Sequence, residues 1–146
     1  ETDSEIYDWL DRFLAGSRLV DLNRLTVRHY FHPRMAGRTS LKVVADAVWQ
    51  SDPAIRARLP QYVRETAEAG SGLYGARPPV NVAGSAITVS EGTGAILAYY
   101  MMMDGIAAGV PEADGYRQLL RQYCKLDTLA MVVVWWRWQT LVGQPE

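Results

Sequence analysis

A carboxylate and a phenol stand four residues apart near the carboxyl end of the chain, at Asp127 and Tyr123. On a helix, residues four apart share one face, so both side chains would point the same way. In one interpretation Asp127 binds a divalent metal through its hard oxygens and Tyr123 orients a water. In the other, Asp127 caps a helix that begins there and Tyr123 packs with its hydroxyl at the surface.

The element that must position this pair is the segment 116–138. Its pattern predicts one helix up to Lys125, a break, and a second helix from Asp127. Residues 129–136 are all apolar, which indicates burial on most sides. This run is about half of the roughly 20 residues needed to span a bilayer, and Arg137 interrupts it. We therefore expect a helix in the core, with Asp127 at the amino-terminal end of its apolar run.

Residues 24–42 form a second chemically distinctive stretch, since they carry no Asp or Glu. The stretch contains the aromatic residues 30 and 31 and the basic residues Arg24, Arg28, His29, His32, Arg34, Arg38 and Lys42. Cations interleaved with aromatics suit phosphate contact and base stacking, so Arg34, Arg38 and Lys42 are predicted to bind nucleic acid. The alternative is a solvated loop whose cations pair with acids elsewhere, namely Asp46, Glu65 and Glu68.

Composition sets limits on the class of protein. The 146 residues are 49% hydrophobic and 21% charged with a net charge of −1, which favours one folded domain without a global basic field. The single cysteine, Cys124, excludes an intrachain disulfide and a cysteine-based zinc cluster. We see no signal peptide and no membrane span, so the expected location is cytoplasmic.

The remaining elements follow from capping and turn signals. Helices are predicted over 3–16, 41–49, 52–69 and from about 94 through the methionines at 101–103, and short strands over 18–22 and 87–89. Asp21, at the end of the first strand, is interpreted as a turn or cap residue rather than a ligand. A Gly- and Pro-rich stretch over about 70–85 is predicted to be a flexible loop within a single domain, 1–146.

Residues 123–131, YCKLDTLAM, resemble the third motif of DnaQ-like, DEDDy-type 3′–5′ exonucleases of the ribonuclease H-like superfamily. They look closest to an uncharacterised bacterial nuclease-like family that ends in YC-x-x-DT-x-AM. Weaker likenesses cover 18–22, 30–42 and 91–99 in the same order. The resemblance implies a helix-dominated carboxyl-terminal part of an α/β/α domain with one or two short strands. It also implies a catalytic Tyr123 and a metal-binding, catalytic Asp127.

Such enzymes hold two divalent metals, Mg²⁺ or Mn²⁺, with four carboxylates, and this chain departs from that pattern. The Asp-x-Glu at residues 3–5 lacks a preceding hydrophobic strand, and the second motif's acid would lie upstream of Glu1. We therefore expect the chain to be inactive alone and to need upstream carboxylates for metal binding. Its apolar surface, around Trp135 and Trp136, should be covered by the missing amino-terminal half, a partner chain or a second copy.

Three functions thus remain open from the sequence. The first is part of a metal-dependent 3′–5′ exonuclease-like hydrolase that acts on nucleic-acid phosphodiesters. The second is a non-catalytic nucleic-acid- or protein-binding module with a degenerate nuclease fold. The third is a helical interaction domain that uses its Met and Trp surfaces and has no nucleic-acid role.

Overall fold

The computed structural model describes residues 3–16, 20–69, 72–75 and 78–143. The chain divides into two compact units, Glu1–Phe31 and His32–Glu146. Each unit is described by itself below.

The first unit contains two helices, α1 (Asp3–Ala15) and α2 (Leu22–His29). On α1, the rings of Trp9 and Phe13 stack with centroids 5.3 Å apart, as residues one turn apart can. Asp21 begins α2, because its Oδ1 accepts hydrogen bonds from the backbone N–H groups of Asn23 (2.9 Å) and Arg24 (3.1 Å). The capping interpretation of Asp21 is therefore confirmed.

The strand predicted over 18–22 is wrong in its described part. Leu22 is already helical, and Val20 and Asp21 pair with no strand. The cap explains the difference, since a carboxylate that satisfies two N–H groups of the first turn favours a helix start at that point. Residues 18 and 19 lie outside the described residues.

The second unit is built on a long helix, α7. The helices are α3 (Leu41–Ser51), α4 (Pro53–Ala57), α5 (Pro60–Ala69), α6 (Gly92–Ala108) and α7 (Glu112–Val142). α7 packs against α3, α4 and α6. Buried residues recur at helical spacing along α3 and α7, namely Val44, Ala45, Val48, Leu126, Ala130, Val133 and Val134.

α7 runs through Asp127 without interruption, so the predicted break before this residue is wrong. The local sequence Lys-Leu-Asp-Thr contains no Gly or Pro, and buried Leu126 keeps the turn packed. Asp127 is therefore not a helix cap. The apolar run 129–136 is also less buried than expected, since Met131 and Trp135 are 43% and 44% exposed.

The helix predicted over 52–69 divides into α4 and α5 at the Leu59–Pro60 junction. Proline has no N–H to donate, and it disfavours helical geometry in the residue before it. Asp52 caps α4 by accepting from the backbone N–H groups of Ala54 (2.9 Å) and Ile55 (3.2 Å). Its other oxygen lies 3.2 Å from the Arg137 guanidinium, which ties α4 to α7.

A small antiparallel hairpin lies between α5 and α6 in the sequence. Its strands are β1 (Val80–Val82) and β2 (Ser85–Ile87), with Val80 opposite Ile87. Ala83 (φ 51°) and Gly84 (φ 82°) are both left-handed, as a two-residue hairpin turn of type I′ requires. β1 falls inside the predicted loop 70–85, and β2 ends where the predicted strand 87–89 began.

The described residues therefore form a helix-dominated fold with one two-stranded antiparallel sheet, in agreement with the predicted helix-rich α/β class. The ribonuclease H-like assignment stays a prediction. Within the described residues, every helix is too short or too polar to cross a membrane.

Candidate functional site

The Asp127 carboxylate is half-buried on α7 and is held by a residue from another part of the chain. Its Oδ1 accepts a hydrogen bond from the Tyr74 hydroxyl at 3.1 Å. Tyr74 lies on the 3₁₀ turn Leu73–Gly75, which contacts α3, α5 and α7. Asp127 is thus oriented by a polar partner rather than sealed among apolar side chains.

Lys42 lies between the two tyrosines of the site. Its Nζ is 5.3 Å from the Tyr123 ring centroid and 5.4 Å from that of Tyr74. It also donates a hydrogen bond to the carbonyl oxygen of Ser90, just before α6. An ammonium near two aromatic rings gains about 0.5–1 kcal/mol from each at a partly exposed site. Lys42 therefore joins α3, α7, the 73–75 turn and the segment before α6.

Asp46 fixes the turn that carries Tyr74. One helical turn after Lys42 on α3, its Oδ1 accepts a 2.7 Å hydrogen bond from the Leu73 N–H, and the Tyr74 N–H also donates to it. A Cβ on Gly72 would overlap the Asp46 carboxylate, so the close approach requires glycine. Burial raises the pKa of the Asp46 carboxyl, and the two backbone hydrogen bonds oppose this shift.

Arg34 and Arg38 line a cleft of about 310 Å³ beside α3, together with Val43, Asp46, Ala47 and Gln50. The Arg34 guanidinium donates a 2.9 Å hydrogen bond to Gln50 Oε1. Arg34 belongs to the 3₁₀ turn Pro33–Met35. His32 caps this turn, because its Nδ1 accepts a hydrogen bond from the Arg34 backbone N–H at 3.2 Å.

Of the predicted site residues, the structure brings Lys42 to Tyr123 and leaves Tyr123 and Asp127 one turn apart on α7. Arg34 and Arg38 line the cleft, whereas Lys42 makes its contacts elsewhere, so the three predicted cations occupy two places. Of the described acids, Asp52 and Asp114 pair with Arg137 and Arg117, and neither Arg34 nor Arg38 has an ion pair in the described part of the chain.

Sequence reasoning missed Tyr74 and Asp46. Tyr74 stands in a Gly-rich stretch that was predicted to be flexible, and Asp46 was considered only as a partner for the basic stretch. The available signal was Gly72, two residues before Tyr74, since a glycine can mark a close approach of the backbone to another group.

The described residues do not by themselves fit a divalent metal site. They hold no group of three or more His, Cys, Asp or Glu side chains placed to bind one ion. Asp127 supplies one carboxylate, of which Oδ1 is already engaged by Tyr74. Mg²⁺ requires near-octahedral oxygen coordination and is usually bound by one or two carboxylates together with waters and substrate phosphates. The two metals of the resembled enzymes are held by four carboxylates.

Comparison with family models, curated proteins and solved structures finds no match to this chain. The resemblance of residues 123–131 to an exonuclease motif therefore stays a prediction. The function must be argued from the geometry of the site.

Proposed function

We propose that this chain is part of a metal-dependent 3′–5′ exonuclease-like domain that acts on nucleic-acid phosphodiesters, and that it contributes Tyr123, Asp127 and Lys42 to the site. One observation carries the proposal. Tyr123 and Asp127, predicted from one motif, lie close to Lys42, predicted from another stretch. The Lys42 ammonium is 5.3 Å from the Tyr123 ring centroid, and Tyr74, whose ring Lys42 also contacts, donates a hydrogen bond to Asp127.

Each side chain has a distinct role in this proposal. The Lys42 ammonium has three N–H donors; one is used on Ser90, and the others can bind phosphate oxygens. The Tyr74 hydroxyl holds Oδ1 of Asp127, which fixes the direction in which Oδ2 faces. Tyr123 presents its phenol from the same face of α7 as Asp127.

The proposal assigns no hydrolytic step to the described residues alone. They supply one of the four carboxylates that the resembled enzymes use, so Mg²⁺ or Mn²⁺ enters only together with carboxylates from outside them. We accordingly expect no cleavage when this chain is incubated with Mg²⁺ or Mn²⁺ and end-labelled single-stranded DNA. Robust cleavage that Asp127→Ala abolishes would contradict this expectation.

The proposal itself is tested on the full protein that the gene encodes. Metal-dependent removal of nucleotides from a 3′ end should be present, and Asp127→Asn should reduce it by orders of magnitude while the far-UV circular dichroism spectrum stays unchanged. Gln118→Asn, an exposed change on the same helix, is the control. Full-length protein without cleavage, or with cleavage that is indifferent to Asp127, would refute the exonuclease assignment.

A second candidate is a non-catalytic module that binds nucleic acid or protein. The observation that favours it is that the described residues contain no cluster of three metal-ligating side chains. In this case binding depends on the basic side chains and not on Asp127. Asp127→Asn would then leave the affinity for single-stranded DNA unchanged or raise it slightly, whereas Lys42→Ala would lower it.

A further inference from the structure

The cleft beside α3 is a concave site lined by two arginines, Arg34 and Arg38. Arg34 is oriented by its hydrogen bond to Gln50 Oε1. Arg38 is placed by a tight turn through Ala36 (φ 48°) and Gly37 (φ 76°), closed by a 3.0 Å hydrogen bond from the Arg38 N–H to the Met35 carbonyl. Met35 is buried and anchors the turn. The backbone thus holds both arginines at the same opening.

Two arginines and one carboxylate, Asp46, line this cleft, so its described lining carries an excess of positive charge. Asp46 lines the same cleft, yet it forms no ion pair with either arginine. Instead its carboxylate accepts hydrogen bonds from the Leu73 and Tyr74 backbone N–H groups. Two guanidiniums that form no ion pair with the described residues attract an anion to a concave site. Their planar N–H groups match the paired oxygens of a phosphate.

This cleft is distinct from the Lys42 site. Lys42 does not line it and makes its contacts with Ser90 and the two tyrosine rings. Asp46 lies on α3 one turn from Lys42 and lines the cleft, so the two places adjoin along the same helix. A strand that crosses the first turns of α3 would therefore meet two separate points of positive charge.

We infer that the cleft formed by Arg34, Arg38 and Gln50 binds one phosphate group of a single-stranded nucleic acid, apart from the phosphate that Lys42 contacts. The identity of the strand rests on the proposed function. The presence of the cleft, its charge and its separation from Lys42 do not depend on the proposed function.

The test is the salt dependence of binding to fluorescein-labelled oligothymidylate, followed by fluorescence anisotropy in EDTA. Each phosphate contact on a single strand contributes about 0.7 to the slope of log affinity against log salt. Because the cleft is inferred to hold one phosphate, Arg34→Ala with Arg38→Ala should reduce the slope by about 0.7. Arg64→Ala with Arg121→Ala is the matched control, because both residues are exposed, neither lines the cleft and the charge change is the same. Equal slopes for the two double variants would overturn the inference.

A milder variant separates geometry from charge and guards against misfolding. Arg34→Lys keeps the charge but loses the planar group that bonds Gln50 and two phosphate oxygens. It should lower affinity several-fold at a fixed salt concentration and leave the slope near that of the wild type. An affinity equal to the wild type would show that the oriented guanidinium makes no phosphate contact.

Inorganic phosphate distinguishes a strand site from a site for the free ion. In nuclear magnetic resonance titrations, oligothymidylate should shift the side-chain N–H signals of Arg34, Arg38 and Gln50 saturably at lower concentration than inorganic phosphate does. Saturation of the same signals by inorganic phosphate at an equal or lower concentration than oligothymidylate would overturn the assignment of the site to a strand. These measurements use no metal and follow no cleavage. The inferred phosphate site can therefore fail its test while the exonuclease proposal stands, and the exonuclease proposal can fail while the phosphate site stands.

Discussion

Asp127 differs from an ordinary surface carboxylate on a helix because a residue from a distant segment donates to it. The Tyr74 hydroxyl reaches Oδ1 at 3.1 Å, and Tyr74 is held in turn by the hydrogen bonds that Asp46 accepts from the 73–75 turn. This chain of contacts runs from α3 through the turn to α7. At the residue scale, the orientation of Asp127 therefore depends on groups that do not neighbour it in sequence.

A double-mutant cycle with Tyr74→Phe and Asp127→Ala measures this contact, because each change removes one partner of the hydrogen bond. A half-buried hydrogen bond to a charged group contributes about 1 kcal/mol to stability, so we expect a coupling free energy of about that size. Urea unfolding of the four proteins gives the value. Tyr99→Phe, which removes a more exposed hydroxyl, should change stability by less than about 0.5 kcal/mol. Additive effects of Tyr74→Phe and Asp127→Ala would show that the contact is not formed in solution.

The Asp46 carboxyl gives a pH dependence of known sign. Its pKa is raised above the ordinary value of 3.8 by burial, so the folded state binds the proton more tightly than the unfolded state. The contribution of this group to stability is therefore highest below 3.8 and is lost as the pH rises through the folded pKa.

We therefore expect the unfolding free energy of wild type, measured relative to Asp46→Asn, to fall as the pH is raised from below 3.8 to neutrality. Urea unfolding at a series of pH values measures the difference between the two proteins. The subtraction cancels the titration of other carboxyls, which both proteins share. A relative stability of wild type that instead rises with pH would mean that the backbone hydrogen bonds outweigh burial.

At the scale of elements, the hairpin depends on a glycine in α7. Val82 is buried against Val80, Val89, Ala98 and Leu119, and a Cβ on Gly115 would lie 2.8 Å from Val82 Cγ2. Gly115 also approaches the backbone, with 3.4 Å from the same Cβ position to the Asn81 carbonyl oxygen. The docking of β1 on α7 therefore requires a residue without a side chain at this position.

Gly115→Ala should destabilise the protein by about 1 kcal/mol. The better helix propensity of alanine gains up to about 1 kcal/mol, but overpacking against a buried valine costs roughly 1–3 kcal/mol. Thermal and urea unfolding measure the net change. Gly94→Ala on α6 is the matched control, since its Cβ would make an ordinary 3.6 Å contact with Val89 and should stabilise the helix slightly. A Gly115→Ala variant as stable as the control would show that β1 does not pack this closely.

At the scale of the whole molecule, α6 carries apolar side chains on more sides than the described residues cover. Its packing against α7 uses small residues, including Ala98 and Gly105. Seven larger side chains are 44–61% exposed, namely Ile96, Leu97, Tyr99, Tyr100, Met101, Met103 and Ile106. Asp104 is the only charged residue of the helix. A contiguous apolar surface of this kind marks an interaction site.

We expect the isolated chain to self-associate through this face of α6, because a second copy offers the same uncharged apolar surface. Sedimentation velocity should show a mass that rises with concentration, and Leu97→Glu with Tyr100→Glu should abolish the rise. Gln61→Glu with Gln118→Glu adds the same charge at exposed polar positions and should leave association unchanged. A wild type that stays monomeric at high concentration would contradict this expectation.

The helical elements could be read from the sequence because their signals are local. α3 begins at Leu41 and α4 at Pro53, at or next to the predicted starts of 41 and 52, since helix-start signals depend on a few adjacent residues. Asp52 caps α4 through its side chain, whereas the Ser40 side chain makes no capping hydrogen bond to α3. The pairing of Tyr123 and Asp127 on one face likewise follows from helical periodicity alone. The missed division at Pro60 was also local, because the proline signal was present in the sequence.

The arrangement of the site was decided only by the tertiary structure. Tyr74 reaches Asp127, and Asp46 holds the turn of Tyr74, through contacts between segments far apart in sequence, which carry no local periodicity. The separation of Lys42 from Arg34 and Arg38 depends in the same way on which face of α3 meets α7. Sequence determined which side chains could do chemistry, and packing between helices determined which of them meet.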